Sequence, residues 1–90
     1  MDKKPLYETS NLNLAATIQT LYKAPNEVVA TSSKQVTFYF EDSPQLKKII
    51  KDYWKGTLRI EPTKFFDDLS KLKSRLYEEL SQYKAGNFEY

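Results

Sequence analysis

Cysteine and histidine are both absent from the 90 residues. Without cysteine there is no disulfide or thiolate chemistry, and nothing ties the chain to an oxidising compartment. The missing histidine removes, together with cysteine, the usual zinc ligands and the side chain that titrates near neutrality, and it makes a Ser-His nucleophile impossible. Glycine is also scarce: Gly56 and Gly86 are the only two, and neither belongs to a phosphate-cradling loop. No stretch approaches the roughly 18 to 20 apolar residues of a membrane span, and residues 1–5 lack the apolar run of a signal peptide. A soluble cytoplasmic protein with no membrane contact is the expectation. Repeats and low-complexity tracts are missing too. The formal net charge is only +2, which by itself predicts no polyanionic partner. A chain of this length makes one domain, and it needs nearly all its apolar residues for packing, so large concave pockets are not expected.

What the chain does contain is best specified in residues 36–54. Val36, Phe38 and Phe40 alternate with Thr37 and Tyr39, which puts three large apolar side chains on one face of a strand, expected to be central. Leu46, Ile49, Ile50, Tyr53 and Trp54 then follow the i, i+3, i+4, i+7, i+8 spacing of one inward-facing helical stripe. Ser43 is a good N-cap, Pro44 suits the first helical position, and Gly56 can take the left-handed conformation that stops the helix after Lys55.

The remaining elements are cover for this unit. Residues 1–5 read as a disordered lead-in and 6–9 as a short strand. Ser10, Asn11 and Asn13 offer caps for a first helix whose stripe is Leu14, Ile18, Leu21 and Tyr22, with Ala15 and Ala16 marking a close approach to a neighbour. Pro25 sets the limit of that helix. Residues 27–31 and 34–40 should form an antiparallel hairpin about Ser32 and Ser33, although the turn lacks the favoured glycine or asparagine. Residues 58–61 are a short edge strand or an extended connector with Leu58 and Ile60 inward. A long last helix opens at Pro62 or Thr63 and carries Phe65, Leu69, Leu72, Leu76, Leu80 and Tyr83 at helical spacing, with Gly86 able to end it. The expected organisation is one α+β domain over 6–84 and a tail over 85–90. Its sheet is small and mainly antiparallel, of three to four strands with three helices on one face. The order β-α-β-β-α-(β)-α is compatible with a ferredoxin-like arrangement.

Laid out as Tyr7-x-Thr9-x-Asn11-Leu12, Leu14-Ala15-Ala16, Val36-x-Phe38-x-Phe40, Tyr53-Trp54-x-Gly56 and Pro62-x-x-Phe65-Phe66 with Leu72-Lys73, the chain resembles a family of short microbial proteins known only as a domain of unknown function. The resemblance runs over about 6–77. It implies a single intact domain and carries no activity with it.

Each candidate site also has an ordinary structural role. The acid pairs Glu41-Asp42, Asp67-Asp68 and Glu78-Glu79 could in principle share acid-base work or hold a hard metal. Neighbours on a helix point about 100° apart, so the pairs read as caps or solvated faces, and an enzyme, a cofactor, a metal or a small-molecule substrate is not expected. On the second helix, Lys47, Lys51 and Lys55 stand four apart with Lys48 beside them, a row able to track phosphates or simply to be solvated. The strand 34–40 is similar to an RNA-recognition strand in placing Phe38 after a lysine, but Thr37 stands where glycine or alanine is wanted. Tyr39 could offer a stacking face. Finally, seven tyrosines, five phenylalanines and a tryptophan exceed what a small core holds. Tyr7, Tyr39, Tyr77, Tyr83, Phe88 and Tyr90 are expected outside, where aromatics favour protein interfaces. A non-enzymatic interaction module is the leading expectation, with a protein partner or self-association through Leu76, Leu80 and Tyr83. The alternative is a small nucleic-acid-binding protein using Lys47, Lys48, Lys51, Lys55 and Tyr39.

Overall fold

The computed structural model describes residues 5–87, with side chains as far as Tyr83. Six elements follow in order: β1 (Leu6–Thr9), α1 (Leu12–Leu21), β2 (Glu27–Ser32), β3 (Gln35–Glu41), α2 (Pro44–Lys55) and α3 (Pro62–Asn87). The sheet order is β1-β3-β2, and both outer strands run antiparallel to β3. This is the α+β fold with the central strand expected from its aromatic alternation. β1 and β2 are parallel to one another with β3 between them, a split β-α-β unit as in ferredoxin-like folds, with no fourth strand among the described residues. Residues 58–61 are the extended connector, with Leu58 and Ile60 half-buried. Leu58 packs against the core, and among the described residues the segment pairs with no strand.

Register explains which side chains enter the core. Phe38 lies opposite Thr9 and Val28, and Phe40 opposite Tyr7, so these residues share the face that the helices cover. Phe38, Phe40, Leu14, Ile18 and Leu46 are fully buried there. Ala15 and Ala16 are also fully buried, because α1 packs against both α2 and α3 and small side chains permit that approach. The hairpin turn falls at Ser33 and Lys34, one residue later than the sequence suggests. The Ser32 hydroxyl accepts the Lys34 amide hydrogen at 3.2 Å, a serine turn that stands in for the missing glycine, and a bulge between Ala30 and Ser32 absorbs the shift.

The helix ends follow their caps. Asn11 Oδ1 accepts from the Leu14 amide at 3.1 Å, and Ser43 Oγ accepts from Leu46 at 3.1 Å. α1 stops at Leu21, with Tyr22 as its cap, ahead of the limit that Pro25 imposes. The Tyr22 hydroxyl donates to the Glu41 carbonyl at 3.1 Å, and Lys23 pairs with Glu41 at 2.8 Å, tying the end of α1 to the end of β3. Pro62 is the first residue of α3. Ahead of it the Glu61 carboxylate accepts the amide hydrogens of Thr63 and Lys64 at 3.2 and 2.7 Å, and those hydrogen bonds hold its pKa below the usual value. α3 continues through Gly86 to Asn87, so the helix is not ended at Gly86 as its composition suggests; residues 1–4 and 88–90 of the expected lead-in and tail lie outside the described residues.

Gly56 has φ +74°, and its amide donates to the Tyr53 carbonyl at 3.1 Å. A Cβ built there meets nothing within 4 Å. Gly56→Ala should therefore carry only the backbone penalty of a left-handed residue, about 1–2 kcal/mol, read as a lower urea midpoint. An unchanged midpoint would show that α2 does not end in this cap.

Candidate interaction surfaces

The lysine row is where its spacing placed it. Lys47, Lys48, Lys51 and Lys55 are all exposed. Lys48 is paired with Asp52 at 3.1 Å; the other three have no ion-pair partner among the described residues. Tyr39 does not join them. It is on the sheet face turned away from the core, directly opposite Glu8 on β1 and Glu27 on β2, where cross-strand side chains are close neighbours. Two carboxylates beside the ring disfavour a phosphate chain there. Phe38, the aromatic of the RNA-recognition likeness, is fully buried and offers no face to a base.

The end of α3 is also more occupied than expected. Leu76 and Leu80 are partly buried and pack against the core, because α3 runs along β2 as well as α1. Tyr83 sits at the edge, 36% exposed, and Tyr77 stands 65% exposed. Tyr7 and Tyr39 are half-buried, while Phe88 and Tyr90 lie outside the described residues.

The acids within a pair have different surroundings. Glu41 is engaged by Lys23, and Asp42 accepts the Ser43 amide at 2.8 Å. Asp67 is exposed but its neighbour Asp68 is only 6% exposed, not on a solvated face. Gln19 Nε2 and Thr20 Oγ1 of α1 donate to its two oxygens at 2.9 and 2.7 Å, and Lys64 lies 3.4 Å away. Burial opposes the charge, yet these hydrogen bonds and the lysine outweigh it and hold the Asp68 carboxyl below its usual range. The group is a clamp between α1 and α3. No group of three or more histidine, cysteine, aspartate or glutamate side chains able to hold a metal occurs among the described residues, and no described helix is long and apolar enough to cross a membrane.

Sequence reasoning missed one surface. The helical stripe placed Trp54 inward, but it is 65% exposed. α2 is buried only at Leu46 and Ile49, toward its N-terminal half, so its last turn has no neighbour to cover Trp54. The indole instead meets Tyr53 edge-on, with ring centroids 5.0 Å apart. Tyr53 in turn borders an open cleft of about 370 Å³ lined also by Thr17, Gly56, Leu58, Ile60, Pro62, Phe65 and Phe66. Phe66, 62% exposed, stands edge-on to Phe65 with centroids 5.6 Å apart. At the floor, the Thr17 hydroxyl donates to the Asn13 carbonyl at 2.9 Å, which leaves a largely apolar lining. The cleft is lined mainly by apolar residues that core packing leaves partly or wholly exposed. One signal was available: Phe66 follows Phe65 and falls off the α3 stripe, so it had to face outward.

These features define a small α+β domain whose helical side carries an apolar cleft between α1, the end of α2 and the start of α3. The chain belongs to the family described as a domain of unknown function (DUF5659), whose model matches residues 4–78. Comparison with curated proteins and with solved structures finds no significant match. The matched span contains every residue lining the cleft and stops short of Leu80 and Tyr83.

Proposed function

We propose that this domain is a small non-enzymatic interaction module that holds an apolar side chain of a partner polypeptide in the cleft between Tyr53, Leu58 and Phe65. The observation that supports it is the pair Trp54 and Phe66, each more than 60% exposed beside an apolar concavity. A soluble domain gains by burying such surface at roughly 25 cal/mol per Å², and a contiguous apolar patch around a cleft is a usual docking site. Self-association through Leu76, Leu80 and Tyr83 is a weaker form of the same reading, since the two leucines already pack on the monomer's core. The lysine row supports sequence-independent phosphate contact, and the exposed Trp54 stands on the same helix beside Lys55 and three residues after Lys51.

A random peptide library displayed on phage and panned against the full chain tests the proposal. Peptides enriched on the wild type should bind Phe66→Asp at least about tenfold more weakly, a loss of roughly 1.4 kcal/mol. Phe66 is exposed, so the substitution should leave thermal stability within about 0.5 kcal/mol. Enriched peptides that bind both forms equally would place docking elsewhere, and sedimentation showing dimers dispersed by Leu80→Glu would favour the last helix instead.

A further inference from the structure

We infer that the outer face of α2 is a second binding surface, on which Trp54 stacks an unpaired base of a single-stranded nucleic acid while Lys47, Lys51 and Lys55 follow its phosphates. The inference does not rest on the docking role of the cleft. At about 100° per residue, Lys47 and Trp54, seven apart in sequence, return to within about 20° of one another, and Lys51 and Lys55 complete the same side of the helix. All four are exposed, whereas Leu46, Ile49, Ile50 and Tyr53 on the inner side are buried or half-buried. Tyr53 borders the cleft, and Trp54 is not among the residues lining it.

Charge and exposure single out this face separately. α2 carries four lysines and one aspartate, a net of +3, in a chain whose formal total is +2. Its one acid, Asp52, is engaged by Lys48 at 3.1 Å, which leaves Lys47, Lys51 and Lys55 without an ion-pair partner among the described residues. Their step of four residues is about 6 Å along the helix axis, near the separation of successive phosphates in an extended strand. The helix dipole favours only Lys55, in the last turn, and opposes Lys47 in the first, so it does not account for the row. Nor does the row account for an indole 65% exposed beside it. The Tyr53 and Trp54 rings are perpendicular, at 90°, and such a neighbour covers at most one face of the indole. The other face is open for stacking.

The combination selects the occupant. Bases in a duplex are stacked on one another, so an aromatic platform on a helix surface takes a base from an unpaired strand. Stacking and phosphate contact are both sequence-tolerant, and binding should be nearly indifferent to sequence. A bilayer fits less well, because an interfacial helix needs its apolar side free, and the apolar side of α2 is packed toward α1. An acidic peptide would satisfy the lysines but offers the indole no planar partner.

Intrinsic fluorescence tests this directly, because Trp54 is the chain's one tryptophan. Oligothymidylate and oligouridylate of about 20 nucleotides, longer than a typical single-strand site, should quench its emission when titrated into the full chain at low salt. With three phosphates engaged, log K should fall against log salt with a slope of about −2, from roughly −0.7 per phosphate. Lys47→Gln combined with Lys51→Gln should flatten that slope to about −0.7. Trp54→Ala, followed by the anisotropy of a labelled oligonucleotide, should bind about tenfold more weakly or worse with the slope unchanged, and Trp54→Phe should recover part of the loss. Every substituted side chain is exposed, so unchanged melting temperatures serve as the folding control, and Phe66→Asp should bind like the wild type. Emission unmoved by both oligonucleotides at low salt overturns the inference, as does an affinity that survives Trp54→Ala or is lost in Phe66→Asp. A matching duplex or polyglutamate bound as tightly as the single strand would reduce the face to charge alone and overturn it too. Anionic vesicles that shift the emission where the oligonucleotides do not would assign Trp54 to a lipid surface instead. Peptide docking in the cleft is scored on Phe66→Asp, so either reading can fail without the other.

Discussion

Replacing Phe38 with alanine should destabilise the domain by about 3–5 kcal/mol, the usual loss for an aromatic removed from a tight core. Phe38 is fully buried on the central strand, with Thr9 on one side, Val28 on the other and the helices above. A domain of 90 residues has a total stability of only about 5–13 kcal/mol, so the variant should lose a large part of it. In a domain of this size each kcal/mol lowers the melting temperature by about 4–8 °C, and a fall of more than 10 °C is expected. Val29→Ala provides the comparison. Val29 lies opposite Thr37 on the other face of the sheet and is exposed, and its truncation should cost less than about 1 kcal/mol. A one-residue slip of register exchanges the two faces of a strand. Equal losses for Phe38→Ala and Val29→Ala would therefore mean that the strand pairing described here is wrong.

Asp68→Ala has the next largest expected effect. It removes a carboxylate that joins α1 to α3 through Gln19 and Thr20. Hydrogen bonds to a charged group contribute about 1.5–3 kcal/mol, and the Gln19 amide loses its acceptor in a part-buried setting. Thr20 is less affected, because its hydroxyl also reaches the Ala16 carbonyl at 2.9 Å. A loss of about 2 kcal/mol is expected. The pH dependence separates this role from mere packing. The folded-state pKa of Asp68 is lowered, so its ionised form stabilises the fold fully above the unfolded value of about 3.9. That contribution disappears as pH falls through the lower folded value. Urea titrations of wild type and Asp68→Asn at pH 7 and at pH 3 or below should thus converge toward acid, with Glu61 present in both and cancelling. A gap that stays constant across this range would show that the carboxylate's charge is irrelevant to the clamp.

Asp68 also shows where one-dimensional reasoning stops. Lys64 stands four residues before it, the spacing of an exposed helical ion pair, and that contact exists at 3.4 Å. The stronger partners are on α1, 48 and 49 residues away in sequence, and no local pattern announces them. Trp54 fails for the opposite reason. It has the right spacing to be buried, but burial needs a neighbour at that height along the helix, and α2 outruns its contact with α1.

The order of elements, the central place of Val36, Phe38 and Phe40, and the caps at Asn11, Ser43 and Gly56 were legible in the chain because each depends on residues within a few positions of one another. Periodicity of two or 3.6 and the hydrogen-bonding reach of a capping side chain are short-range properties. The clamp at Asp68, the half-burial of Leu76 and Leu80 and the cleft beside Trp54 and Phe66 arise from how far whole helices overlap. Overlap is set by the packing of distant segments against one sheet, and only the folded arrangement of α1, α2 and α3 resolves it.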